Sequence, residues 1–129
     1  MIGMLVKESI PFQSTIGAST SKTLVSKAIT RKFYTWKIIM HFPDAADYLL
    51  LYRWFISKDS ESAGTGVPSG KPLFVDESDN DSWRGDNMTI EVAHIKEITD
   101  VPCTIKLYTT NGVASGLPIS CFLEILREV

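Results

Sequence analysis

The sequence predicts an all-β fold, an antiparallel β-sandwich or jelly roll of about seven to eight strands with an extended N-terminal arm. Three observations carry this. Apolar and polar residues alternate with a period near two in Thr89–Ile95, Cys103–Tyr108 and Ile119–Ile125. Successive strand side chains point to opposite faces, so such runs fit sheets with one buried face. Lys32–Phe42 and Tyr48–Ile56 are rich in aromatic and β-branched residues, which favour strands. Clusters of Gly, Pro, Asn, Asp and Ser separate these runs.

Taken in order, residues 1–31 read as a basic, Ser/Thr-rich arm with little core of its own, broken by Pro11 and Gly17. Within it, Thr23–Thr30 fits either a short helix capped by Ser21 or the start of a strand. Residues 32–129 read as one sandwich domain. In its first strand, Tyr34, Trp36, Ile38, Met40 and Phe42 share one parity, and Phe33, Thr35, Lys37, Ile39 and His41 the other. Tyr48–Ile56 is apolar on both parities except for Arg53, which suits a central strand covered on both faces. Ser57–Pro72 is a long irregular loop, a feature often tied to function. Leu73-Phe74-Val75 has room for a short strand, and a second polar loop runs over 76–88. Asn111-Gly112 is a strong hairpin turn signal, so the two strands around it are expected to pair, with Cys103 and Cys121 on the buried parity. Thr104, Lys106 and Tyr108 take the opposite parity to Cys103, Ile105 and Leu107.

The chain has 129 residues, 44% hydrophobic and 22% charged, an ordinary globular composition for one domain. Met1–Glu8 contains a short apolar run with no basic residue ahead of it, so no signal peptide is expected. No apolar run approaches a membrane span, and Met1-Ile2 excludes N-myristoylation. Synthesis in the cytoplasm follows as the expectation. The net charge of −2 selects no partner, but its distribution is uneven. No acidic residue occurs from Ser9 to Pro43, a stretch carrying Lys22, Lys27, Arg31, Lys32 and Lys37. Acidic residues dominate from Asp44 to Asp100. A basic front of this kind is either a solvated segment or a contact for something anionic, nucleic acid or the acidic loops of a neighbouring subunit. Lys22, Lys27, Arg31 and Lys32 are the residues that would make that contact.

No motif points to catalysis, and no cofactor is expected. Cys103 and Cys121 are expected as buried free thiols, because directly paired strand residues hold their Cβ atoms farther apart than a disulfide needs. The acidic loop with Asp76, Glu77, Asp79, Asp81 and Asp86 imitates the opening of an EF-hand but places Trp83 at a ligand position, so no metal is expected. Arg84-Gly85-Asp86 spells an integrin-type tripeptide, and Asn80-Asp81-Ser82 and Asn87-Met88-Thr89 are glycosylation sequons. Both matter only outside the cell. His94 shares the parity of Ile90 and Val92 and is expected to be packed; His41 lies on the more polar parity of its strand. Gly64-Thr65-Gly66 lacks the strand-to-helix context of a nucleotide loop. Phe122 and Tyr108 should point away from the buried face.

In outline the chain resembles small viral or phage virion proteins, in which an extended arm precedes a jelly-roll or sandwich body. The likeness rests on the arm from Ser9 to Lys32 and the strands from Phe33 onward. It implies a structural subunit, in a virion or soluble in the cytoplasm before assembly. Its partners would be copies of itself or other structural subunits, with nucleic acid contact through the arm and no membrane. The alternative is a carbohydrate- or ligand-binding module that uses the 57–72 and 76–88 loops, with Trp83, Arg84 and Asp86 as contact residues.

Overall fold

The computed structural model describes residues 4–62, 64–74 and 80–128. Among these residues there are nine strands: β1 (Leu5–Ile16), β2 (Thr20–Val25), β3 (Phe33–Phe42), β4 (Leu50–Ser57), β5 (Lys71–Pro72), β6 (Ser82–Gly85), β7 (Met88–Ile98), β8 (Thr104–Asn111) and β9 (Leu117–Glu128). They form two antiparallel sheets. The first has the order β1-β9-β3-β7; the second has β2-β8-β4, with β5 and β6 both on the far side of β4.

The pairing is nested. The first strand pairs with the last, β2 with β8, β3 with β7, and β4 with β6. A long hairpin of paired strands has thus been rolled up, which also sets β9 beside β3 and β8 beside β4. This is the jelly-roll form of the sandwich. Between the sheets lie Phe12 and Ile16 of β1, Ile38 and Met40 of β3, Tyr52 and Trp54 of β4, and Leu123 of β9, all buried. The Phe12 ring meets Trp54 edge-on at 5.2 Å, and Tyr52 donates a hydrogen bond to the His41 carbonyl while its ring tilts onto Phe42. Burying this apolar layer supplies most of the folding drive.

Four expectations change. The segment read as an arm with little core of its own is two strands of the body: β1 pairs with β9 over its whole length, and Phe12 and Ile16 enter the core. Hydroxyl-rich sequence concealed this, because an edge strand needs only a few inward apolar residues. Pro11 is tolerated there because an edge strand has one side without a ladder partner. Second, β8 and β9 do not form a hairpin; 112–116 crosses from one sheet to the other, so Cys121 faces Met40 and Phe12 while Cys103 bridges to Ile29. Both cysteines are free and buried, as expected. Third, β3 carries a bulge at Trp36: two of its residues oppose one of β9. The inward parity therefore switches from Phe33 and Thr35 to Ile38, Met40 and Phe42, and Trp36 is left exposed. Thr35 Oγ1 ties the matching irregularity in β7, accepting from the Lys96 N–H and donating to the His94 carbonyl. Fourth, His94 sits at this irregularity and is exposed rather than packed. The reading of β4 as a central strand stands: partners flank both edges. The short strand expected at Leu73 lies at Lys71–Pro72 instead, although the Leu73 N–H still bonds the Trp54 carbonyl; Val75 and the carboxylates of Asp76, Glu77 and Asp79 fall outside the described residues.

Candidate functional site

The long loop after β4 is not a free excursion. Gly70 re-enters β5 against the Ile56 carbonyl, at a φ of 119° that only glycine adopts easily and with no space for a Cβ. Between Ser57 and Gly70 the chain folds back over the outer face of the second sheet as a strap, and its anchor is Lys106 of β8. The Lys106 ammonium is wholly buried and donates to Asp59 Oδ1 at 2.7 Å and to Ser69 Oγ at 3.0 Å. Asp59 also accepts from the Ser57 and Ser69 hydroxyls and from the Glu61 N–H. The Lys106 hydrogen bond, reinforced by these donors, holds the Asp59 carboxyl well below the usual carboxylate range. Thr104 completes the anchor by donating to the Asp59 carbonyl. A buried cation must be paired or expelled, so this network fixes where the strap lies.

Beside the anchor, at the end of the sandwich where β4 and β7 finish and β8 begins, is a cleft of about 460 Å3. Ile56, Ile98 and Cys103 give it apolar walls. Lys58, Lys71 and Lys96 also line it, with Asp59, Glu97 and Asp100. Lys58 pairs with Asp100 at 2.8 Å and pulls that carboxyl's pKa down. With Asp59 held by Lys106, the charged groups of the cleft not engaged in ion pairs among the described residues are Lys71, Lys96 and Glu97. Burial pushes the Cys103 thiol up, and pushes Cys121 up to about 12, so neither is an activated nucleophile. Among the described residues no three His, Cys, Asp or Glu side chains converge as metal ligands, and no helix is long and apolar enough to cross a membrane.

The residues singled out from sequence are scattered. Lys27, Arg31 and Lys32 lie exposed in the connection from β2 to β3, with Lys32 3.9 Å from Glu128. Lys22 is apart from them on β2, donating to Ser14 of β1. Trp83 is in strand β6, partly buried against the core, rather than on a loop. Arg84 is exposed, but Asp86 accepts the Asp47 N–H at 2.9 Å and so braces a neighbouring turn. Asp81 of the acidic loop pairs with Arg53, whose guanidinium also lies over the Phe55 ring. Phe122 and Tyr108 are half-buried: Phe122 meets His41 edge-on, and the Tyr108 hydroxyl bonds Ser21.

Sequence reasoning did not single out Lys106, because it lies on the parity opposite Cys103, Ile105 and Leu107. Nothing local predicts that the loop starting directly after β4 returns to cover it. The cleft was missed for the same reason: its walls come from strands far apart in sequence. No protein-family model matches the chain, and no curated protein is found similar to it.

Proposed function

We propose that this protein is a non-enzymatic structural subunit that associates with copies of itself, of the kind from which virions are built. The observation that carries the reading is the nested jelly-roll pairing combined with where exposed large apolar residues fall. Met4, Leu5 and Val6 crowd one end of the sandwich, and Tyr48, Leu49 and Met88 the other. Grouped exposed apolar residues mark association surfaces, whereas scattered ones do not. Fold alone assigns no function; the paired apolar ends supply the argument. The basic connection with Lys27, Arg31 and Lys32 adds a surface for an anionic neighbour, either an acidic part of another subunit or nucleic acid. The ligand-binding alternative rested on an exposed Trp83, and its half-buried position takes away that support.

The test is the mass of the purified chain in solution, by light scattering at low and high salt. A large defined assembly that dissociates as salt rises supports the reading and its electrostatic component. A monomer under every condition and concentration overturns self-association.

A further inference from the structure

Strand register places each connection at one of two ends of the sandwich. Leu5, Phe33, Ile98 and Glu128 align at one end of the first sheet, and Ile16, Phe42, Met88 and Leu117 at the other. The first end therefore holds 26–32 and 99–103 together with the strap and the cleft. The second holds 17–19, 43–49, 86–87 and 112–116. The two ends differ in charge. At the first, connection 26–32 carries Lys27, Arg31 and Lys32 with no acidic residue, and the cleft beside it adds Lys71 and Lys96 with Glu97, while Asp59 and Asp100 are paired with Lys106 and Lys58 and Glu61 lies in the strap. The four connections of the second end contain Asp44, Asp47 and Asp86 with no Lys or Arg.

The second end also carries an unusual turn. Ala45, Asp47 and Tyr48 all have left-handed backbones, with φ of 70°, 51° and 59°. Non-glycine residues pay a steric cost for this conformation, most severely the bulky ones. The turn is nevertheless firmly held. Ala46 is buried, Asp86 accepts the Asp47 N–H, the Tyr48 N–H bonds the Gly85 carbonyl, and the Leu49 carbonyl accepts from Gly112. Its outcome is that Tyr48 and Leu49, which follow Asp44 and Asp47 in the chain, project into solvent, 55% and 44% exposed. Strain retained to expose an aromatic ring is a mark of function rather than of folding.

An acidic turn tipped by Tyr and Leu at one end complements a cleft at the other whose walls include Ile56 and Ile98 and whose charges outside ion pairs among the described residues are two lysines, Lys71 and Lys96, and one carboxylate, Glu97. We propose that the cleft receives the Tyr48–Leu49 turn of a second copy of this chain, with the ring against Ile56 and Ile98 and with Asp44 and Asp47 facing Lys71 and Lys96. The inference rests on the self-association reading and names its contact. Each copy carries both halves, so the contact is head-to-tail and either closes into a ring or propagates.

The experiment compares three variants with the wild type by light scattering: Asp44→Lys/Asp47→Lys, Lys71→Glu/Lys96→Glu, and Tyr48→Asn. Circular dichroism and thermal unfolding confirm that each is folded. Facing like charges should weaken self-association of either charge variant alone by on the order of a hundredfold. An equimolar mixture of the two should recover the wild-type mass, because each turn then meets an oppositely charged cleft. Tyr48→Asn should lose assembly while keeping or raising the melting temperature, since Asn suits a left-handed backbone better than Tyr. A merely structural tyrosine would lower stability instead, and that result overturns the proposal. Variants that assemble like the wild type, or a mixture that stays dissociated, overturn the contact while leaving self-association intact. A wild type that assembles only after a single-stranded oligonucleotide is added overturns it in favour of nucleic acid at the basic end. A wild type that is monomeric throughout overturns both readings.

Discussion

The outer faces of the two sheets solve the same problem in different ways. On the first sheet, Glu124 of β9 is nearly buried, and its partners among the described residues come from the strands beside it. Lys7 of β1 at 3.0 Å and Lys37 of β3 at 3.7 Å reach it from the flanking strands, and Lys37 continues to Glu91 of β7. That charge is compensated within the plane of the sheet, and the face stays open. On the second sheet, the counter-charge of Lys106 among the described residues is Asp59, which arrives from outside the sheet and brings the strap with it. A flat face results where neighbouring strands supply the partner; a covered face results where a loop must.

Both faces rest on one core, so the largest effect comes from the layer between them. Phe12→Ala should cost about 3–5 kcal/mol, measured by chemical denaturation, because β1 is part of the body. A chain lacking residues 1–30 should show no cooperative unfolding transition, since each sheet loses an edge strand. A separable arm would leave both measurements near the wild type. Next, Asp59→Ala should free the strap by leaving the buried Lys106 ammonium unpaired. Proteolytic cleavage within 58–70 should rise, and the melting temperature should fall more than for Lys106→Met, which removes the charge together with its need for a partner. Equal effects from the two would mean that the strap is held by packing alone.

Acid should separate the faces further. Asp59 in the folded chain binds a proton less readily than an unfolded aspartate, whose pKa is about 3.9. Its contribution is therefore complete above roughly pH 5 and is lost as pH falls through the unfolded and then the depressed folded value. Strap protection, followed by hydrogen exchange, should be undiminished above about pH 5 and weaken progressively as pH falls below about 4, and Asp59→Ala should lack this acid limb. On the open face, Glu124→Gln should cost only about 1 kcal/mol, because its lysine partners can turn to solvent. The smallest response is chemical: neither thiol should react appreciably with a disulfide reagent at pH 8 in the native protein, and Cys121 should be the slower of the two.

Much of the sandwich was legible. Ile119, Cys121, Leu123 and Ile125 do line one face, and the apolar run up to Ile56 marked a central strand flanked on both edges, although Tyr48 and Leu49 at its start lie exposed in the turn before β4. Pairing was not legible. Asn111-Gly112 looks like a hairpin turn, yet the chain there crosses between sheets, and no local signal distinguishes the two. Trp36 could not be recognised as a bulge, because an alternating pattern with one extra residue reads as plain alternation on the wrong parity. The strongest site residue, Lys106, was invisible because its burial depends on Asp59 and Ser69, which precede it by 47 and 37 residues.

Period-two alternation, β-branched and aromatic content and turn chemistry by themselves determined that this chain forms strands, roughly where β3, β4, β7, β8 and β9 lie, and that they bury one shared apolar layer. Those are local quantities, governed by backbone preference and by which side chains avoid water. The tertiary structure alone decided which strand pairs with which, that the hydroxyl-rich N-terminal residues belong to the body, and that one outer face is sealed while the other is open. These depend on contacts between residues distant in the chain, where the alternatives share the same local pattern and differ only in how the whole layer closes and where each buried charge finds its partner.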